Sequence, residues 1–263
     1  MAIIEINDVS KTYPNGCSAL DSICLSIEEG QFVAIIGPSG SGKTTLIRLM
    51  NGLEPATKGC VVVDNLKVCK HHLRKIRSRV GMVFQHFNLV DQLNVMTNVL
   101  SGRLSRRHWL PSMLYLFHKT DYAAATEALR RVELLGKAWT RADKLSGGQQ
   151  QRAGVARALA QEPKMILADE PVASLDPVIG RGIIKLLKEI SERDGITVVA
   201  NLHQVKMVRQ FADRVIGLHN GRIVFDGSPS RLDDAALHRI YYGVTNENDL
   251  NGNKDQHLAV AYP

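Results

Sequence analysis

Hydrophobic and polar positions along the chain follow two rhythms. Residues 3 to 9 and 22 to 28 alternate apolar with polar side chains, as strands buried on one face do. Pro14-Asn15-Gly16 marks a turn between them, which predicts an antiparallel β lobe. Farther on come short, nearly unbroken apolar runs: Phe32-Val33-Ala34-Ile35-Ile36, Val80-Gly81-Met82-Val83-Phe84, Met165-Ile166-Leu167-Ala168 and Ile196-Thr197-Val198-Val199-Ala200. Such runs fit strands covered on both faces, the usual condition of a parallel sheet. Cys60-Val61-Val62-Val63, closed by Asp64-Asn65, reads as one more short strand, and Arg214 to Leu218 and Arg222 to Asp226 flank His219-Asn220-Gly221 as a hairpin.

Helical spacing fills the intervals. Leu46 to Met50 continues from the first apolar run, residues 70 to 79 make a basic amphipathic segment, and about 86 to 161 turns mainly helical, clearest over Val95–Leu104 and Ala123–Leu135. Pro177 opens another helix, which runs to about Arg193 and is stopped by Asp194-Gly195. The pattern predicts one α/β unit over residues 1–243: a mainly parallel sheet, an antiparallel β lobe and an inserted α-helical lobe. Residues 244–263 are rich in Asn, Asp, Gly and Gln and predict a loose tail without chemistry.

Composition narrows the class. The 263 residues are 44% hydrophobic and 22% charged, with no apolar stretch of about 18 residues, so neither a membrane span nor a secretion leader is expected and the chain should stay in the cytosol. The net charge of +7 suits anionic partners such as nucleotides, an anionic membrane face or nucleic acid, and does not choose among them. Cys17, Cys24, Cys60 and Cys69 have no metal-binding spacing and are expected as reduced thiols.

The chemistry gathers where a β run stops. Gly37-Pro38-Ser39-Gly40-Ser41-Gly42-Lys43-Thr44-Thr45 links a strand to a helix. Its glycines let backbone N-H groups face inward, and the new helix adds unpaired donors and partial positive charge. Lys43 can reach outer phosphates and Thr44 can ligate magnesium, so the stretch reads as a triphosphate loop. Other polar residues stand at strand ends, where ligands bind in open α/β sheets. Gln85 could touch metal, water or γ-phosphate. Asp169 could hold magnesium, Glu170 could take a proton from an attacking water, and His203 could contact the γ-phosphate. An exposed Tyr13 ring could stack on adenine. Ser146-Gly147-Gly148-Gln149 makes a second anion-receptive helix start, to be used in the same chain or by a second copy. Arg103, Arg106, Arg107 and His108 precede the apolar 109–117, an arm suited to a membrane face, to a docking groove, or to folding back on its own lobe.

Together and in order, these pieces resemble the nucleotide-binding subunit of an ABC transporter over residues 3 to about 227. The resemblance implies a P-loop ATPase in which Tyr13 stacks on adenine, Gly37 to Thr45 bind phosphate and Gln85 is the Q-loop. It further implies that Ser146 to Gln149 form the signature, Asp169 is the magnesium aspartate, Glu170 the catalytic glutamate, Asp176 the D-loop residue and His203 the switch histidine. ATP and magnesium would be the cofactors. A head-to-tail homodimer would close each signature over the partner's ATP, and the subunit would sit peripherally at the cytoplasmic face of the inner membrane. Its partners would be permease subunits and a periplasmic or lipid-anchored substrate-binding protein, with no nucleic acid. Phe87-Asn88-Leu89-Val90, residues 98–104, the basic arm through Phe117, Asn201-Leu202-His203-Gln204-Val205 and Val224-Phe225-Asp226-Gly227 are similar to importers of phosphonates and related oxyanions such as phosphite. Polar amino-acid importers share only some of these stretches.

Overall fold

The structure is a computed structural model, and it describes residues 1–106 and 117–243. Two long strands, β1 (Ala2–Thr12) and β2 (Ser18–Glu28), pair antiparallel around the turn at residues 14–16. β3 (Phe32–Ile36) leads through the glycine-rich loop into α1 (Lys43–Met50). β4 (Lys58–Val63) and the short β5 (Leu66–Lys67) complete a four-stranded sheet in the order β2-β1-β4-β5.

After α2 (Leu73–Arg77) and β6 (Val80–Val83) come the helices of the inserted lobe, α3 (Val95–Leu100), α4 (Lys119–Arg131) and α5 (Gly147–Ala160). β7 (Met165–Ala168), α6 (Pro177–Asp194), β8 (Thr197–Asn201), α7 (Val205–Phe211), β9 (Arg214–His219), β10 (Arg222–Gly227) and α8 (Asp234–Tyr242) follow. The second sheet runs β10-β9-β3-β8-β7-β6, parallel except for β10.

Burial on both faces explains why the inner strands of that sheet are largely apolar. Phe32, Ala34 and Ile36 face one core with α3 to α6, whereas Val33 and Ile35 face a second core with α1 and the β lobe. Register then aligns the strand ends: Ile35 lies beside Asn201, Ile36 beside Gly217, Ala168 beside Ala200 and Val83 beside Ala168. The loops leaving β3, β6, β7 and β8 therefore share one edge.

Several local expectations change. The basic segment 70–79 shortens to α2, whose N-cap residue His72 makes no capping bond. Arg77 spends its guanidinium on the carbonyls of Asn51 and Gly52 instead. The stretch Val95–Leu104 splits, α3 giving way to a tighter 3-10 helix over Ser101–Arg106. α4 begins before Ala123, because the Asp121 carboxylate accepts the His118 backbone N-H at 2.9 Å. α7 and α8 have no counterpart in the expected pattern.

Both described ends of the basic arm fold back on their own lobe, one of the alternatives the sequence leaves open. Arg103 is buried, bonding Asp121 at 3.2 Å, Glu162 at 3.0 Å and the Ala160 carbonyl at 2.9 Å, so it braces the lobe. Phe117 packs edge-on to Tyr122 and against the main core. The arm's residues 107–116 and the tail 244–263 lie outside the described residues. No described helix is long and apolar enough to cross a membrane.

Candidate nucleotide site

Sterics shape the phosphate loop first. Gly37 has φ 152° and Gly42 φ 101°, and a Cβ on either would lie 2.2 Å from the Leu218 carbonyl or 2.4 Å from the Ala19 carbonyl. Only glycine lets the loop pass so close to its neighbours. Between them, the Ser41 hydroxyl is buried with no hydrogen-bond partner among the described residues. Lys43, also buried, donates to the carbonyls of Gly37 and Pro38, each at 2.9 Å, spanning the loop that a phosphate would enter. Burial holds its ammonium below the usual lysine pKa, and the charges of Glu170 and Asp169 act in the opposite direction. Ser39 and Gly40 are exposed at the loop's tip.

Strands β7 and β8 bring the carboxylates. The Thr44 hydroxyl donates to Asp169 Oδ1 at 2.9 Å, and Asn201 Nδ2 donates to the same oxygen at 2.7 Å. Asp169 itself is buried, with Oδ2 lacking a protein partner among the described residues. Glu170 adopts the left-handed region, φ 51°, which turns it away from the line of β7. Its Oε1 meets His203 Nε2 at 2.8 Å, the histidine standing exposed just beyond β8. Gln85, half-buried, lies just past the end of β6 at the same edge. A hydroxyl, a carboxylate and an amide oxygen are hard donors, the kind that suits magnesium with phosphate oxygens completing the shell. Among the described residues no cluster of His, Cys, Asp and Glu could hold a metal without that help.

Tyr13 sits at the end of the first long strand. Its hydroxyl lies 3.2 Å from the Thr45 hydroxyl, and Lys11 Nζ lies 4.9 Å from its ring centroid. Lys11 is buried and bonds the Pro55 carbonyl at 2.9 Å and Glu54 at 3.0 Å. A cation on one face leaves the other for a flat ring.

The second glycine-rich helix start is assembled separately. Ser146 caps α5: its hydroxyl accepts from the Gln149 N-H at 3.4 Å, and the Gln149 side chain accepts from the Ser146 N-H at 3.1 Å. A Cβ on Gly147 would touch Leu175 and Phe87, and one on Gly148 would strike Ile179 at 2.5 Å. These contacts join the stretch to α6 and to the loop after β6, not to Gly37–Thr45. Asp176 caps α6, accepting from the Val178 N-H at 2.8 Å. Lys43, Thr44, Asp169, Glu170 and His203 thus converge, whereas Ser146 to Gln149 and Asp176 form a separate cluster. Asn201 and Lys11 were absent from the expected site. An amide ending an apolar central strand was the signal for the first, and a lysine two residues before an aromatic too weak a signal for the second.

Residues 20–173, more than half of the chain, match the ABC transporter family. The chain belongs to that family. The phosphonates import ATP-binding protein PhnC of Thiobacillus denitrificans is 57% identical to it over 264 residues, covering 100% of both chains. PhnC 2 of Trichodesmium erythraeum is 56% identical over 89% of this chain and 90% of its own. Among solved structures, the dimeric ATP-binding cassette MJ0796 in a post-hydrolysis state with ADP and Pi aligns with TM-score 0.73 and 36% identity, over 86% of this chain and 98% of that one. The cbiO1 protein of Clostridium perfringens, part of the ABC transporter complex cbiONQ, aligns with TM-score 0.79 and 28% identity, over 90% and 93%. The fold is that of an ABC nucleotide-binding cassette, and cassettes of this kind bind ATP and ADP.

Proposed function

We propose that this chain is the ATP-hydrolysing subunit of an ABC importer for phosphonates or a related reduced-phosphorus oxyanion such as phosphite. It would work at the cytoplasmic face of the cell membrane beside permease subunits, with a substrate-binding protein delivering cargo from outside. The cassette chemistry is common to the family, so the cargo rests on one observation, the end-to-end 57% identity with a phosphonates import ATP-binding protein.

The chain's own residues supply positioning and charge. Lys43 turns from the carbonyls of Gly37 and Pro38 to the outer phosphates, and the loop N-H groups and the Ser41 hydroxyl bind their oxygens. Thr44, Asp169 and Gln85 would hold magnesium, which neutralises phosphate charge when bound. Glu170 takes the proton of the attacking water, and His203 holds the carboxylate from Oε1 and contacts the terminal phosphate. Tyr13 stacks on adenine. Ser146 to Gln149 and Asp176 serve the nucleotide of a second copy.

Complementation tests the cargo. In a strain lacking its phosphonate-import ATPase, the wild-type gene is expected to restore growth on methylphosphonate or phosphite as sole phosphorus source, and Glu170→Gln to restore neither. Restored ATPase activity in the assembled transporter without growth on either source would overturn the cargo assignment.

A further inference from the structure

β8 is buried on both faces, and every residue but its last fits that setting without strain: Val198, Val199 and Ala200 are apolar, and the Thr197 hydroxyl accepts from the Gly30 N-H at 2.9 Å. Asn201 is different. It is fully buried, and its Oδ1 has no hydrogen-bond partner among the described residues, a desolvation cost that a valine in its place would avoid. The fold gains a single bond from it, the 2.7 Å contact from Nδ2 to Asp169 Oδ1. The orientation of the amide is set by chemistry, because a carboxylate accepts and does not donate.

The consequence lies at the other end of that carboxylate. Two donors, Thr44 Oγ1 and Asn201 Nδ2, converge on Oδ1, and Oδ2 is left without a hydrogen-bond partner among the described residues. Only one of the two donors is permanently available. The Thr44 hydroxyl stands in the phosphate loop and would be drawn to a bound cation, whereas Asn201, locked between β3 and β7 in the sheet, has no other task. We propose that Asn201 is a positioning residue for the divalent cation: its amide pins Asp169 Oδ1 so that the carboxylate meets the cation in one fixed orientation. This rests on Asp169 being a ligand of the nucleotide-bound cation. Partners of metal ligands commonly contribute about 10- to 100-fold to metal affinity.

The test uses Mn²⁺ as the probe, its binding followed by electron paramagnetic resonance with the full-length protein and a non-hydrolysable ATP analogue. Asn201→Val and Asn201→Leu, the second keeping the amide's branching at Cγ, are both expected to weaken Mn²⁺ binding about tenfold or more. Binding of the same analogue in EDTA should stay within about twofold of wild type, since the loop and Lys43 are untouched. Asp169→Asn is the control. If it weakens Mn²⁺ binding while both Asn201 variants bind as wild type does, the positioning role is overturned alone. If Asp169→Asn also binds Mn²⁺ normally, the assignment of Asp169 as a ligand has failed. A parallel loss of analogue binding in EDTA would make Asn201 a packing residue and likewise overturn the proposal.

Discussion

Glu170 combines a left-handed backbone, φ 51°, with a carboxylate held 2.8 Å from His203, and each observation bears on what a substitution there should do. Glu170→Gln keeps the side chain's shape and removes its basicity. ATP hydrolysis should fall by about 10²- to 10⁴-fold, the usual worth of a positioned proton acceptor. ATP affinity by calorimetry should be unchanged; equal losses in both would place Glu170 in binding instead. Lys43 supports a prediction in pH. Its ammonium titrates below the usual lysine value because it is buried, and a bound triphosphate would raise it again. The complex therefore holds the proton more tightly than the free protein does. Affinity should be full at neutral pH and decline as pH rises through the free protein's Lys43 pKa, beginning below the ordinary value of 10.5. A calorimetric pH series checks this, with Lys43→Arg expected to flatten the alkaline loss because guanidinium does not titrate there.

At the scale of elements, the inserted lobe hangs on Arg103. Its guanidinium sits between the buried Asp121 carboxylate and the Ala160 carbonyl, so it joins the end of α3's extension to α4 and α5. Arg103→Met would leave Asp121 charged and buried beside only the His118 cap and its remaining contacts, at a cost of about 3–5 kcal/mol. Urea unfolding should show that loss; a change under about 1 kcal/mol would mean that the lobe is held elsewhere. The same residue shows what could be read from the chain. Runs such as Phe32–Ile36 and the Asn220-Gly221 turn, both residues at positive φ, report their structure locally, because burial on two faces or a left-handed turn limits which residues fit. Arg103, in contrast, takes its meaning from Asp121 and Glu162, which are distant in sequence, so the local pattern leaves a membrane face, a docking groove and its own lobe equally open. α7 is too short for its period to register, and α8 is held by contacts with β9, among them His219 Nδ1 and the Ile240 carbonyl 2.9 Å apart. The site divided in the same way. Lys43, Thr44, Asp169 and His203 stand beside strand ends that the pattern marks, whereas Asn201 shows its purpose only once β7 is beside β8.

For the whole molecule, the second glycine-rich helix start, set apart from Gly37–Thr45, calls for a phosphate from elsewhere. Ser146 is exposed at the tip of α5, Gly148 lies against Ile179, and the neighbouring Val178 is 81% exposed and Ile179 46%. Two apolar side chains open to water beside the start of a helix form a surface whose burial would be favourable and whose positive end suits an anion. A second copy carrying ATP in its own loop would supply both, as the dimeric state of the similar solved cassette suggests. Val178→Arg should therefore leave nucleotide binding by the monomer unchanged, because Val178 lies outside the Lys43–Asp169 cluster. In a Glu170→Gln background, where hydrolysis cannot release the pair, light scattering should show dimers with ATP and magnesium, and the added Val178→Arg should keep the protein monomeric. Dimerisation that persists with the arginine in place would put the contact surface elsewhere, and the Ser146 helix start would then need another source of phosphate.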